Sequence, residues 1–391
     1  MARASVQNAD LIVINACSLT HRAETDVRRF IQRARQLNAA AKIVLAGCHA
    51  QVYPDRSFDA DLVLGQAEKF RLDQLYTERG THVTESRTFP MEKAAVDVGR
   101  RERTRFFFKI QDGCNRFCTY CVVPYARGAV RSRPIADIAA TMKALNDRGV
   151  KEVVLTGIDV AAYRDPESGT GLKELLALFE SMETPSRIRL SSVDPQYMDD
   201  AFIDVLASCS KLAKSIHVPV QSGSDAVLAR MGRRYDSAFI GRLVEKLKAI
   251  ATIGIGIDVL VGFPGESDEA FLETYRFIEE LDVYYLHVFP YSEREGTKAC
   301  GFDGRVPEGV RKERVRRLKV LDAAKREAFL RGHIGRTAVI IPEGKVYAGK
   351  YMRGYAGNYV PVYIPYEKRL ENNLVDVTIK DMQGIRLIGG I

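Results

Sequence analysis

The chain has 391 residues, 46% of them hydrophobic, which is enough for a buried core and two or three domains. No run approaches the ~18 consecutive apolar residues of a membrane helix, and the opening "MARASVQNAD" lacks the apolar segment of a secretory signal. These features point to a soluble cytoplasmic protein with no membrane partner. The net charge of +8 is uneven: residues 311–391 hold 17 Lys+Arg against 8 Asp+Glu, and residues 1–310 hold 41 against 42. Such a basic block suggests a polyanion, RNA among them, with a solvated basic helix as the plainer alternative.

In chain order, "DLIVINAC" reads as a buried strand. "RAETDVRRFIQRARQLN" reads as an amphipathic helix with Val27, Phe30, Ile31 and Ala34 on one stripe, and "AKIVLAGC" as a second strand. This is β-α-β, the unit of a parallel sheet, so residues 1–90 are expected to form a Rossmann-like α/β domain. Cys17 and Cys48 each follow a strand, at the carboxyl ends where open α/β sheets bind ligands. Residues 78–104 read as a polar linker.

The middle segment, 104–332, alternates strand and helix. Strands are expected over 106–111, 152–156, 187–192, 215–220, 254–260 and 284–289, and helices over 134–147, 171–182, 199–208, 236–251 and 267–281. Six such units predict a partial (β/α)6 barrel, shorter than the usual eight. A basic helix over 307–331 turns Val315, Leu318, Leu321 and Ala324 inward. Residues 333–391 carry short β-type runs separated by Gly and Asn, which predicts a small antiparallel β-barrel. Its Tyr347, Tyr351, Tyr355, Tyr359 and Tyr363, interleaved with Lys and Arg such as Arg353, suit base stacking and phosphate contact; they would equally fill such a barrel.

"CNRFCTYC" carries Cys114, Cys118 and Cys121 just after the first barrel strand. Seven cysteines, three within eight residues, favour metal ligation over a disulfide framework. A closed zinc site needs four ligands, and no histidine or fourth cysteine is near. Three thiolates on a [4Fe–4S] cubane leave one iron open to a small molecule.

This Cx3CxxC loop resembles that of the radical S-adenosylmethionine superfamily. "LTGIDV", "RLSSVDP", "HVPVQSGSDAVLARMGRRY", "GIDVLVGFPGESDEAF" and "LHVFPYSEREGTKA" resemble its barrel strand ends. The whole chain resembles the methylthiotransferases, and "KIQDGCNRFCTYCVVPYARGAVRSRP" looks most like those acting on N6-threonylcarbamoyladenosine-37 of tRNA.

The resemblance implies S-adenosylmethionine chelated to the open iron of a cluster on Cys114, Cys118 and Cys121. It also implies a second [4Fe–4S] cluster at Cys17 and Cys48, sulfur insertion at C2 of the adenine, and a C-terminal TRAM domain. Tyr120, Thr156, Gly157, Ser192, Asp194, Gln221 and Ser222 would line the S-adenosylmethionine pocket, with a core role as the alternative for Tyr120. Arg127, Arg131, Arg133, Asp258, Tyr351 and Arg353 would face substrate or RNA; a solvated rim is the alternative for the three arginines after the loop, and a turn cap for Asp258. The strand bearing the family's first cysteine is not in the chain as written, so its N-terminal domain is expected to be truncated. Cys209 and Cys300 are expected in core or surface roles. tRNA, a flavodoxin- or ferredoxin-type reductant and a sulfur donor would be the partners of a monomer. The rival readings are an RNA-binding protein keeping one cluster, a relative acting on isopentenyladenosine or a ribosomal-protein aspartate, and a radical enzyme without sulfur insertion.

Overall fold

A computed structural model describes residues 5–85, 89, 91 and 104–391. The remaining residues of the expected linker lie outside the described residues. The chain divides into two compact units, one of Met1–Glu92, Gly113–Val130 and Ser292–Phe302, the other of Lys93–Asp112, Arg131–Tyr291 and Asp303–Ile391.

The first unit opens with β1 (Leu11–Ala16), α1 (His21–Leu37), β2 (Lys42–Gly47), α2 (Cys48–Val52), β3 (Leu62–Leu64), α3 (Leu72–Leu75) and β4 (Gly80–His82). The strands pair in parallel in the order β1-β2-β3-β4. Central β2 is buried at five of its six positions, as a strand covered on both faces must be. Thr20 caps α1 by accepting a hydrogen bond from Ala23 N. The inward stripe of α1 is Glu24, Val27, Ile31 and Ala34; Phe30, expected on it, is 46% exposed. The stripe is narrower than the apolar residues alone suggest, because a charged residue, Glu24, fills its first turn.

The second unit starts with β5 (Arg105–Lys109) and β6 (Gln111–Asp112). The single strand expected over 106–111 is broken at Ile110. Ile110 N still bonds Thr156 O, but the next two residues turn aside and pair antiparallel with 131–132. After the excursion 113–130, which contains α4 (Val123–Arg127), the chain resumes with β7 (Arg131–Ser132), α5 (Ile135–Asp147), β8 (Glu152–Thr156), α6 (Leu172–Leu178), β9 (Arg187–Leu190), α7 (Asp200–Ser208), β10 (Ser215–Gln221), α8 (Asp225–Arg230), α9 (Ser237–Lys248), β11 (Gly254–Val261), α10 (Asp268–Glu280) and β12 (Tyr285–Pro290). The barrel strands form two parallel three-stranded sheets, β5-β8-β9 and β10-β11-β12. Hydrogen bonds Ala213 N to Ile188 O (2.8 Å) and Val193 N to His217 O (2.9 Å) join them. A single hydrophobic core, aliphatic and aromatic, lies between these strands and the helices.

α11 (Glu308–Arg331) buries Leu318 and Leu321, with Val315 half-buried. Ala324, expected inward, is exposed, and Arg314 and Leu330 take buried places instead. β13 (Thr337–Tyr347), β14 (Tyr351–Ala356), β15 (Pro361–Pro365), β16 (Val375–Gln383) and β17 (Arg386–Gly390) close a barrel in the order β13-β14-β15-β17-β16. It is not wholly antiparallel: β17 enters between β15 and β16 and runs parallel to β15. Its interior is aliphatic, with Ile340, Met352, Val362, Ile364, Ile379 and Leu387 all buried. In β14 the alternation puts Met352, Gly354 and Ala356 inward and Tyr351, Arg353 and Tyr355 outward. The tyrosines therefore coat this barrel rather than fill it.

Candidate active site

The cysteines of interest fall within the first unit. Register pairs Ala16 with Gly47, so Cys17 and Cys48 follow side by side from neighbouring strand ends. The backbone at Gly47 has φ +99°, and a Cβ there would lie 2.3 Å from Asn15 Oδ1 and 2.9 Å from Ala16 O. Only glycine lets the chain pass so close beside β1 before Cys48. Cys17 is exposed and Cys48 half-buried. Cys48 Sγ accepts hydrogen bonds from Arg127 Nε at 3.1 Å and Gln66 Nε2 at 3.2 Å. Since Arg127 ends α4, six residues after Cys121, this contact brings the Cx3CxxC segment against the end of β2.

Cys114, Cys118 and Cys121 sit half-buried on one loop. Its base is pinned by Cys114 N to Gly128 O (3.1 Å), and Cys121 N bonds Cys118 O (2.9 Å) in a tight turn. Gly113 has φ +78°, and a Cβ would fall 2.0 Å from Ala129 O. Phe117 is left-handed, φ +50°, a conformation that L side chains adopt at a cost, and its ring meets Tyr125 edge-on at 5.7 Å. Tyr120 is half-buried. The 292–302 segment straps onto the same unit: Ala299 N bonds Thr119 O (2.8 Å), and His21 N bonds Ser292 Oγ (3.0 Å). Tyr53 Oη donates to Glu295 O at 3.0 Å, and buried Arg294 pairs with Glu24 at 3.2 Å. Burial pushes the Glu24 carboxyl up, but the charge and hydrogen bond of Arg294 outweigh it and leave it below its usual range. Cys300, half-buried, belongs to this strap, whereas Cys209 is 4% exposed in the core.

The donor set of the loop fits a soft metal cluster. Between residues 109 and 123 the sole carboxylate is Asp112 and there is no histidine. Asp112 is buried and held by Lys109 (3.1 Å) and Arg131 (2.9 Å), so sulfur alone is offered by this stretch.

In the second unit a cavity of about 450 Å³ opens inside the six-strand barrel. Of the expected pocket residues, Thr156 and Ser192 line it. Gly157 follows where β8 bends: a Cβ there would lie 2.5 Å from Gln111 Oε1, which accepts from Asp159 N at 2.8 Å. The others lie elsewhere. Asp194 is buried, accepting from Gln196 N (3.0 Å) and pairing with Arg233 (3.3 Å). Ser222 is fully buried and shares a hydrogen bond with Thr274 Oγ1 at 2.9 Å. Gln221 is buried with φ +75° at the end of β10, where the register with β11 shifts. Arg133 is 8% exposed, with Nε donating to Lys109 O at 2.8 Å and its guanidinium over Phe108, so it is not a solvated rim residue. Arg353 reaches Glu343 at 2.8 Å between Tyr347 and Tyr355, and Tyr351 is half-buried beneath Lys350. The hydrogen bond and charge of Glu343 raise the Arg353 pKa despite the opposing effect of burial.

Sequence reasoning missed His217, Tyr285, His287 and Arg326 in the more polar part of the cavity, where Tyr355 and Tyr359, expected to stack on bases, also stand. Asp258, expected to meet substrate or cap a turn, receives His217 Nε2 at 2.9 Å, with His287 Nδ1 at 3.6 Å. Burial pushes its carboxyl up, but the two histidines more than reverse this and hold it at about 2. The signal was present in the sequence: polar residues at alternate positions of otherwise apolar strands, in "SIHVPVQ", "GIGIDVLVG" and "YLHVFP".

Comparison with known proteins places these features. The model of the radical SAM superfamily matches residues 108–278, and that of the uncharacterized protein family UPF0004 matches residues 2–65. Among solved structures, the radical S-adenosylmethionine methyltransferase TsrM of Kitasatospora setae superposes with a TM-score of 0.56 over 71% of this chain and 61% of that one, at 19% identity, which shows the shared fold. Fold and cysteine loop together define a radical S-adenosylmethionine protein.

The chain is 35% identical to the threonylcarbamoyladenosine tRNA methylthiotransferase MtaB of Bacillus subtilis (strain 168), over 95% of this chain and 86% of that protein. It is 38% identical to MtaB of Aquifex aeolicus, over 88% and 87%. A tRNA-2-methylthio-N(6)-dimethylallyladenosine synthase of Lachnoclostridium phytofermentans is 31% identical over 98% and 88%. The chain belongs to the radical S-adenosylmethionine tRNA methylthiotransferase family. With membership come S-adenosylmethionine and [4Fe–4S] clusters as cofactors.

Proposed function

We propose that this protein converts N6-threonylcarbamoyladenosine at position 37 of tRNA to its 2-methylthio derivative. The observation that carries the reading is the Arg127–Cys48 hydrogen bond, which gathers Cys17 and Cys48 with Cys114, Cys118 and Cys121 in one compact unit. Sulfur insertion into an unactivated C–H bond needs a radical source and a sulfur carrier close together, and proximity of this kind is a large part of such catalysis. Identity of 34–38% to five proteins named for the threonylcarbamoyl nucleoside supports the choice of substrate.

Cys114, Cys118 and Cys121 would hold the cluster that takes S-adenosylmethionine, and Cys17 and Cys48 would contribute to the second. When loaded, these groups supply the radical, the sulfur and the methyl group. The protein's own part is to position and shield. Arg127 and Gln66 orient the Cys48 sulfur. Gly113 and Gly157 keep the loop base and the β8 end at their close approaches, and Thr156 and Ser192 offer hydroxyls to the barrel cavity. The basic final segment, with Tyr351 and Arg353 on the face of a barrel of TRAM type, would meet tRNA phosphates and bases. The same reading carries a cytoplasmic monomer served by a flavodoxin- or ferredoxin-type donor.

Nucleoside analysis of bulk tRNA from a strain lacking the gene tests this. The 2-methylthio threonylcarbamoyl nucleoside should vanish and its unmethylthiolated precursor accumulate. Wild-type protein should restore it and Cys118→Ala should not. Persistence of that nucleoside, or loss of the 2-methylthio isopentenyl nucleoside in its place, would overturn the assignment.

A further inference from the structure

Three side chains from successive parallel strands converge inside the barrel: His217 on β10, Asp258 on β11 and His287 on β12. Asp258 stands directly opposite His287 in the register, and His217 is paired with Gly256, two residues earlier on β11. Their strand neighbours Ile216, Val218, Ile257, Val259 and Leu286 are buried in the hydrophobic core. Alternation then leaves these three residues on the inner face.

His217 Nε2 lies 2.9 Å from Asp258 Oδ1, and His287 Nδ1 lies 3.6 Å from the same oxygen. One donor atom from each residue falls within 4.8 Å of the others, the one such group of His, Cys, Asp and Glu among the described residues. Two ligands about 2.1 Å from one ion, at about 90–110°, are separated by about 3.0–3.4 Å. The observed spacings bracket that value, and the 3.6 Å contact is too long for a hydrogen bond.

The surroundings fit as well. The other nitrogen of His217, Nδ1, lies 3.0 Å from Tyr285 Oη, an orienting contact of the kind metal-bound histidines make. His217 and His287 line the 450 Å³ cavity, so further coordination positions would face open space rather than protein. Two imidazoles and one carboxylate suit zinc, iron or manganese better than magnesium or calcium.

We infer that His217, Asp258 and His287 form a binding site for a divalent first-row transition ion, separate from the cysteine ligands, with open positions for water or an anionic oxygen in the cavity.

The test uses the full chain with its iron–sulfur clusters reconstituted, so that the cysteine sites are filled. The protein is dialysed to equilibrium against Zn²⁺, and bound zinc, iron and sulfide are measured together. About one equivalent of zinc is expected, with X-ray absorption showing nitrogen and oxygen neighbours and no Zn–S distance near ~2.3 Å. Asp258→Asn and His287→Ala should each weaken zinc binding by about 10-fold or more while iron and sulfide stay unchanged. The side chain of His287 is 52% exposed, so its truncation leaves the fold intact, and retained iron reports a folded chain. Absence of zinc from the wild type, zinc with sulfur neighbours, or undiminished zinc in both variants would overturn the site. No RNA is present in the measurement, so its outcome is independent of the proposed nucleoside chemistry.

Discussion

Gly113 and Gly157 both stand where an added Cβ has no room. At Gly113 an added Cβ meets a backbone carbonyl at 2.0 Å, and that backbone cannot yield as a flexible side chain would. Gly113→Ala should therefore distort the base of the cysteine loop and sharply lower the iron bound after reconstitution, with a stability loss of about 1–3 kcal/mol. At Gly157 the nearest obstacle is the Gln111 side chain, which also holds Asp159 N, with the Val160 backbone at 3.1 Å beside it. Gly157→Ala should cost a comparable amount in thermal melts but leave cluster iron in place, because the loop itself is untouched. Asp258 offers a pH test. Its folded pKa, about 2, lies below the ordinary 3.8, so the stability it contributes is present above about pH 4 wherever the two histidines carry their charge. That contribution, about 2 kcal/mol, is lost as the pH falls towards 2. Denaturant melts from pH 5 to pH 2 should show this loss in the wild type and not in Asp258→Asn.

Among the elements, β8 and β9 carry a buried ionic cluster that reaches the C-terminal barrel. Glu152, 1% exposed, pairs with Arg187 (3.3 Å) and Arg189 (2.9 Å). Arg187 donates to Tyr355 O and Val339 O, and Arg189 to Ala356 O and Gly357 O, all at 2.8–3.1 Å. Two guanidiniums thus cap backbone carbonyls of β13 and β14 and the turn after them, and one carboxylate balances their charge. Glu152→Ala would leave both arginines buried without their counter-charge, at a cost of about 3–5 kcal/mol. We expect a lower melting temperature and faster proteolytic release of residues 333–391.

At this scale the strand periods were legible: β8, β10, β11 and the helices around them fall within a few residues of expectation, because each is one long apolar-periodic run. The break between β5 and β6 was not, since it depends on a partner strand twenty residues further on. Nor was the insertion of β17 between β15 and β16, because pairing partners in a small barrel are set by closure rather than by local pattern.

Over the whole molecule the charge asymmetry and the coat of tyrosines belong together. The outward faces of β14 and β15 carry Tyr351, Arg353, Tyr355 and Tyr363 over an aliphatic interior. tRNA affinity should fall with rising salt, and Arg353→Gln should reduce the slope of log K against log salt by about one if that guanidinium meets a phosphate. By itself the sequence determined what depends on short-range spacing: the three-cysteine loop, the order of strands and helices, the terminal basic block and the family resemblance. Ligands three and four residues apart are brought together by any loop that joins them. Which distant groups meet was settled by the packed strands. The packing placed Arg127 on the Cys48 sulfur, gave Asp194, Ser222 and Arg133 their hydrogen-bond partners, and drew His217, Asp258 and His287 to one point. Those encounters depend on parallel register and on which face of each strand turns inward, and three separated runs of sequence do not reveal their shared register until they pair.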